Sequence, residues 1–120
     1  MRHRVKKATL NKPADQRKAM MRNLVTSLFE HGHVQTTDAK AKALSAAAEK
    51  LLTLVKRQKE DFNAIRELKK VIFTESSQRK ALEYAKSTTK TSGFVRETKI
   101  RMRAGDGALI VQVSLINDTK

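Results

Sequence analysis

From Glu97 to Leu115 the chain keeps a period of two. Thr98, Ile100 and Met102 fall on one side, with Glu97, Lys99, Arg101 and Arg103 on the other. After a break, Leu109, Val111, Val113 and Leu115 alternate in the same way, which is the pattern of half-buried strands. The break is Ala104-Gly105-Asp106-Gly107, whose Asp-Gly pair readily takes the positive φ of a tight hairpin. A lone hairpin is marginal in water, so the rest of the chain has to cover its apolar side. That side is predicted to be the Thr98, Ile100 and Met102 face, which leaves Lys99, Arg101 and Arg103 as an outward basic row.

The cover is predicted to be helical. Met21, Leu24, Val25, Leu28 and Phe29 recur at helical spacing after Pro13 and Asp15, and Gly32 offers a left-handed stop. His33 to Thr37 reads as a short strand, with Thr37 and Asp38 opening a second helix. Leu44, Ala48, Leu51, Leu52 and Val55 form that helix's apolar stripe, to about residue 57. Phe62, Ile65, Leu68, Ile72 and Phe73 start a third helical face. Ser76 or Ser77 is expected to cap a short fourth helix carrying Ala81, Leu82 and Ala85, and residues 87–93 read as a polar linker. The fold class is therefore α+β, in the order helix, strand, three helices and two strands. A small sheet joins the Val34 strand to the C-terminal hairpin, with helices packed on it in a second layer. The length suits one domain, taken as residues 13–120 behind a tail of residues 1–12.

Charge points to the partner. Lys and Arg number 26 against 12 Asp and Glu, a formal net charge of +14 on 120 residues. The first twelve residues carry Arg2, His3, Arg4, Lys6, Lys7 and Lys12 with no carboxylate. Such a segment cannot enter an apolar core, whereas a phosphate backbone attracts it through counterion release. Nucleic acid is the expected partner. The absence of Trp and the single Tyr84 argue against an aromatic base-stacking platform as the main mode and favour contact with folded phosphate backbone.

Other chemistries find little support. The chain has no cysteine, so disulfides, thiol catalysis and Cys-based zinc sites are excluded. His3, His31 and His33 lack the partners a metal site needs, and no metal or other cofactor is expected. Thr36 and Thr37 are accounted for by a strand end and a helix cap. Gly105-Asp106-Gly107 lacks the Lys of a phosphate loop. No run approaches the roughly 18 apolar residues of a membrane span, and no signal-peptide core follows Met1. Neither a membrane nor a small-molecule substrate is expected.

Several separated motifs share one resemblance. Met1-Arg2-His3-Arg4, Leu10-Asn11, the run Arg17 to Asn23, Val34-Gln35-Thr36-Thr37, Lys40-Ala41-Lys42 and Arg103-Ala104-Gly105-Asp106 occur in this order. Together they closely resemble the family of the bacterial large-subunit ribosomal protein numbered seventeen, whereas residues 57–92 add little to the match. The resemblance implies a cytoplasmic, non-catalytic component of the large ribosomal subunit. It implies binding to large-subunit ribosomal RNA beside neighbouring ribosomal proteins, near the outer end of the nascent-peptide exit tunnel. It also implies the same helix and strand order that the periodicity predicts. The opening at Met1-Arg2-His3-Arg4 suits a bacterial cytosolic protein better than an imported organellar precursor.

The expected RNA contacts follow. The tail cations come first: Arg2 and Arg4 can fork two phosphate oxygens, while Lys6, Lys7 and Lys12 act as point charges. Arg17, Lys18, Arg22 and Asn23 on the first helix come next, then Lys40 and Lys42. Lys99, Arg101 and Arg103 have strand spacing close to the phosphate repeat, although the same charges could simply guard a sheet edge. Two rivals make different predictions. A DNA-binding regulator needs a recognition helix presenting Arg, Asn and Gln on one exposed face, and none is evident. An RNA-processing enzyme needs a catalytic constellation, which is also lacking.

Overall fold

The structure is a computed structural model that describes His3 and residues 8–117. It begins with a turn in which the Lys12 N–H donates to the Thr9 carbonyl at 3.1 Å. Leu10 and Asn11 both lie at positive φ, 52° and 56°. Asn tolerates that region; Leu enters it at a cost of roughly 1–2 kcal/mol.

Helix α1 spans Ala14–His31, with Pro13 at its N-cap position and Asp15 in its first turn. The Gly32 N–H then returns to the Leu28 carbonyl at 2.7 Å with φ 80°, a conformation that glycine adopts without penalty. Strand β1 is His33–Thr37. It is followed by α2, Asp38–Arg57, α3, Asp61–Lys69, and α4, Glu75–Ser87, before strands β2, Val95–Met102, and β3, Leu109–Leu115. The sheet is antiparallel throughout, in the order β1-β3-β2. The fold is α+β.

One apolar cluster joins the layers. Val25, Leu28 and Phe29 of α1, the Leu44, Ala48, Leu51, Leu52 and Val55 stripe of α2, Leu68 of α3, Ala81 and Ala85 of α4, Phe94, and Val111 and Val113 of β3 are buried together. Val34 and Thr36 pair with Val113 and Val111, so this face of the sheet meets the helices. The connector after α4 is also tied down. The Tyr84 hydroxyl lies between the Phe94 and Ile116 carbonyls, at 3.1 and 2.6 Å. The Lys56 ammonium donates to the carbonyls of Thr88 and Lys90.

Three expectations need correction. First, α4 opens after Thr74, not at Ser76 or Ser77. Ser77 is buried inside the helix, where its hydroxyl donates to Glu30 Oε2 at 2.6 Å and accepts from Thr74 at 2.7 Å. Its side chain joins α4 to α1 and is not free to cap.

Second, Phe62 and Phe73 are 60% and 48% exposed. Helix α3 ends at Lys69, so the helical spacing that seemed to continue to Phe73 does not hold. Each ring lies instead under a guanidinium, Arg66 at 4.2 Å for Phe62 and Arg22 at 3.9 Å for Phe73.

Third, the helices do not cover the Ile100 and Met102 side of the hairpin. Lys99 pairs with Val111 but Arg101 pairs with Ile110, so Ile100 is the extra residue of a β-bulge. Glu97 and Lys99 therefore share the sheet face of Val113 and Val111, whereas Arg101 stands with Ile110 on the opposite face. The strand runs out past the helical layer, and Ile100 and Met102 are 42% and 65% exposed.

Candidate nucleic-acid interface

The helix period and the turn before α1 decide where the basic side chains gather. Among the tail residues, Arg2, Arg4, Lys6 and Lys7 lie outside the described residues, while His3 and Lys12 are exposed. The turn at Thr9–Lys12 brings the chain back onto the first turn of α1, where Arg17 Nη1 donates to the Lys12 carbonyl at 3.3 Å. Further along α1, Arg22 is half-buried and its Nε donates to the Val71 carbonyl at 3.1 Å. The Phe73 beneath it is held in turn, because its N–H donates to Thr26 Oγ1 at 3.1 Å and that hydroxyl donates to the Arg22 carbonyl at 2.7 Å.

Two recesses flank the N-terminal half of α1. The larger, about 1250 Å³, runs between α1 and α2 and is lined by Arg17, Lys18, Arg22 and Lys42, with Leu10, Met21, Ala43 and Phe73 among its apolar walls. The smaller, about 500 Å³, brings together Lys12, Gln16, Asn23 and Lys40. Seven of the expected contact residues thus share one end of the molecule, divided between its two sides. A single acid, Asp15, lines the larger recess, and none lines the smaller. Lys42 makes a 3.3 Å ion pair with Asp38 one turn back, an exposed pairing of little strength.

The hairpin residues are arranged differently. Lys99 and Arg101 stand on opposite faces because of the bulge, so no basic row forms. Arg103 lies beyond β2, where its guanidinium grips Asp106 across the turn through Nε at 3.1 Å and through Nη2. The Arg103 hydrogen bond is the main cause that holds the Asp106 carboxyl down to about 2, with the Ala108 N–H second. The same bond raises the Arg103 pKa. Asp106 stays ionised at neutral pH and offsets the charge of Arg103 in place.

Glu30 is another engaged acid. The hydroxyls of Ser77 and then Ser76 lower its pKa, with Lys80 adding a nearby positive charge. It joins the end of α1 to the start of α4 and contributes nothing to the basic end.

Sequence reasoning missed Phe73 as a surface residue of this region. The signal was present: Phe73 stands directly before Thr74-Glu75-Ser76, a polar helix opening, which places it in a connection and not on a helical face. The described residues contain no cluster of His, Asp or Glu able to hold a metal, and no described helix is long and apolar enough to cross a membrane.

The family model for ribosomal protein L17 matches residues 20–116. A large ribosomal subunit protein bL17 of Desulforapulum autotrophicum is 40% identical, covering 98% of each chain. The bL17 of Clostridium botulinum strain Hall is 39% identical over 89% of this chain and 95% of that one. The bL17 of Clostridium perfringens strain SM101 is 38% identical over the same shares.

Proposed function

Because this chain belongs to the ribosomal protein L17 family, we propose that it enters the large ribosomal subunit by gripping large-subunit ribosomal RNA with the basic end of α1 and the tail before it. The family is a structural constituent of the large subunit, so the chain is a component of the bacterial cytoplasmic ribosome and not an enzyme.

The observation that carries the RNA reading is the gathering of Lys12, Arg17, Lys18, Arg22, Asn23, Lys40 and Lys42 around two recesses where Asp15 is the lone lining acid. Cations with no acid partner, or with only a weak exposed one as at Lys42, can each replace a condensed counterion on RNA, whereas a cation gripped by a carboxylate, such as Arg103, has less to give. In this reading, residues 1–12 are a tail that threads among phosphates, and residues 13–120 are the domain that seats it. Lys99 and Arg101 reach RNA as separate contacts from the two faces of β2. The site in the subunit is near the nascent-peptide exit tunnel, among neighbouring ribosomal proteins.

Salt dependence tests the tail directly. If residues 1–12 neutralise about five phosphates, deleting them flattens the log–log salt dependence of RNA binding by roughly 3.5–4.5. A deletion that keeps its full slope, with the domain still folded by circular dichroism, removes the tail from the interface.

A further inference from the structure

The larger recess combines features that a phosphate grip alone does not call for. Its walls are apolar at Leu10, Met21, Ala43 and Phe73, while its edge is cationic. A nucleotide has the matching character, with a flat base whose faces are apolar and a charged phosphate one sugar away. At about 1250 Å³ the recess exceeds the roughly 300–1,000 Å³ of typical small-ligand sites, which leaves room for a nucleotide and part of its strand.

Arg22 is already set for such a guest. Its Nε is bound to the Val71 carbonyl and its Cζ lies 3.9 Å from the Phe73 ring centroid, so the guanidinium is held before any ligand arrives. Its terminal amino groups have no partner among the described residues, and they form the edge that forks phosphate oxygens. Phe73 is 48% exposed, although Arg22 lies over one face of its ring. Aromatic rings and guanidinium planes are the surfaces on which unpaired RNA bases stack.

We propose that the cleft between α1 and α2 receives one unpaired nucleotide of the RNA, its phosphate on Arg22 and its base against Phe73 and the Met21 and Ala43 walls. This rests on the RNA-binding reading above and adds a slot to it. The scarcity of aromatics is no obstacle, because one slot needs one ring. An acidic helix of a neighbouring protein could also fill an apolar cleft. The fixed guanidinium beside an open ring favours a base, and a lone lining acid against Arg17, Lys18, Arg22 and Lys42 favours a dense anion.

The test uses the full chain with large-subunit ribosomal RNA, and variants that alter the slot without altering charge. Ala43→Leu fills the cleft from a helix position that accepts Leu readily, and Phe73→Leu removes the ring. Each is expected to weaken binding by about five- to a hundred-fold, the range of one lost base stack, with the salt slope unchanged. Melting curves check that both variants fold. Folded variants that bind within twofold of the parent overturn the slot, even if the cleft proves to hold a protein helix. If the unaltered chain shows no salt-dependent RNA binding, the broader reading falls first; if tail deletion flattens the slope while Ala43→Leu changes nothing, only the slot falls.

Discussion

The two basic ends of the molecule use arginine in opposite ways. At the α1 end, Arg22 is held by a carbonyl and an aromatic ring, neither of which cancels its charge. At the hairpin tip, Arg103 is held by a carboxylate, which does. Both guanidiniums are ordered, yet only the first presents an unneutralised charge to a partner. Orientation and neutralisation are separate properties of a surface cation, and sequence composition counts both arginines alike.

The largest effect should come from reversing charge. Arg17→Glu with Lys18→Glu should weaken binding to large-subunit ribosomal RNA by about a hundredfold or more, since hydrogen bonds to charged groups contribute about 1.5–3 kcal/mol each. The matching pair Lys99→Glu with Arg103→Glu should cost less than about tenfold. Equal losses, measured by filter binding at one salt concentration, would erase the distinction between the two ends.

Within the hairpin, stability should follow burial and not hydrophobicity. Val113→Ala, at a fully buried site on β3, should lower unfolding free energy by about 2 kcal/mol, whereas Met102→Ala on exposed β2 should stay within about 0.5 kcal/mol. Urea melts of the two variants check this, and a large loss at Met102 would mean that something covers β2.

A gain is expected on α2. Ser45 Oγ is buried without a hydrogen-bond partner among the described residues. Ser45→Ala removes an unsatisfied group and improves helix propensity, so stability should rise by about 1 kcal/mol, read as a higher melting temperature. An unchanged or lower melting temperature would show that the hydroxyl has a partner.

The smallest effect is acid-dependent and confined to the hairpin tip. Asp106 titrates near 2 when folded against an ordinary 3.8, so its contribution is complete above about pH 4 and is lost as pH falls toward 2. Chemical shifts of Gly105 and Gly107 should follow that transition, and Asp106→Asn should abolish it. Arg22 has no such carboxylate contact, so the Val71 and Phe73 signals beside it should show no matching step. A titration of Asp106 near its ordinary value would mean that the Arg103 grip is not maintained in solution.

Much of the fold was readable where a residue pattern repeats over a full element. Leu44, Ala48, Leu51, Leu52 and Val55 are buried as their spacing predicts, and Gly32 ends α1 as a left-handed cap. Reading failed where one residue had two possible uses. Ser77 looks like a cap but serves as a buried link to Glu30, a partner 47 positions away. Phe73 fits a helical period by number alone, because the helix stops before it. The bulge at Ile100 has no mark in the alternation, since it exists only relative to the partner strand.

The candidate site divides along the same line. That Arg17, Lys18, Arg22, Asn23, Lys40 and Lys42 are candidates for contact with a polyanion follows from charge and motif, which are local properties of the chain. Their sorting into two recesses, the fixing of Arg22 by Val71 and Phe73, and the separation of Lys99 from Arg101 were decided by tertiary structure.

What the residue order determined by itself was the inventory: four helices, a terminal hairpin, one core and a large cationic surplus, because periodicity and net charge belong to the chain in any conformation. Which cations are neutralised, stacked or left open was settled only by folding. Hydrogen bonds and ring contacts need separations of a few ångströms; the Arg103–Asp106 pair finds its own within one turn, but Arg22 comes that close to Val71 and Phe73, far along the chain, only once the layers have packed.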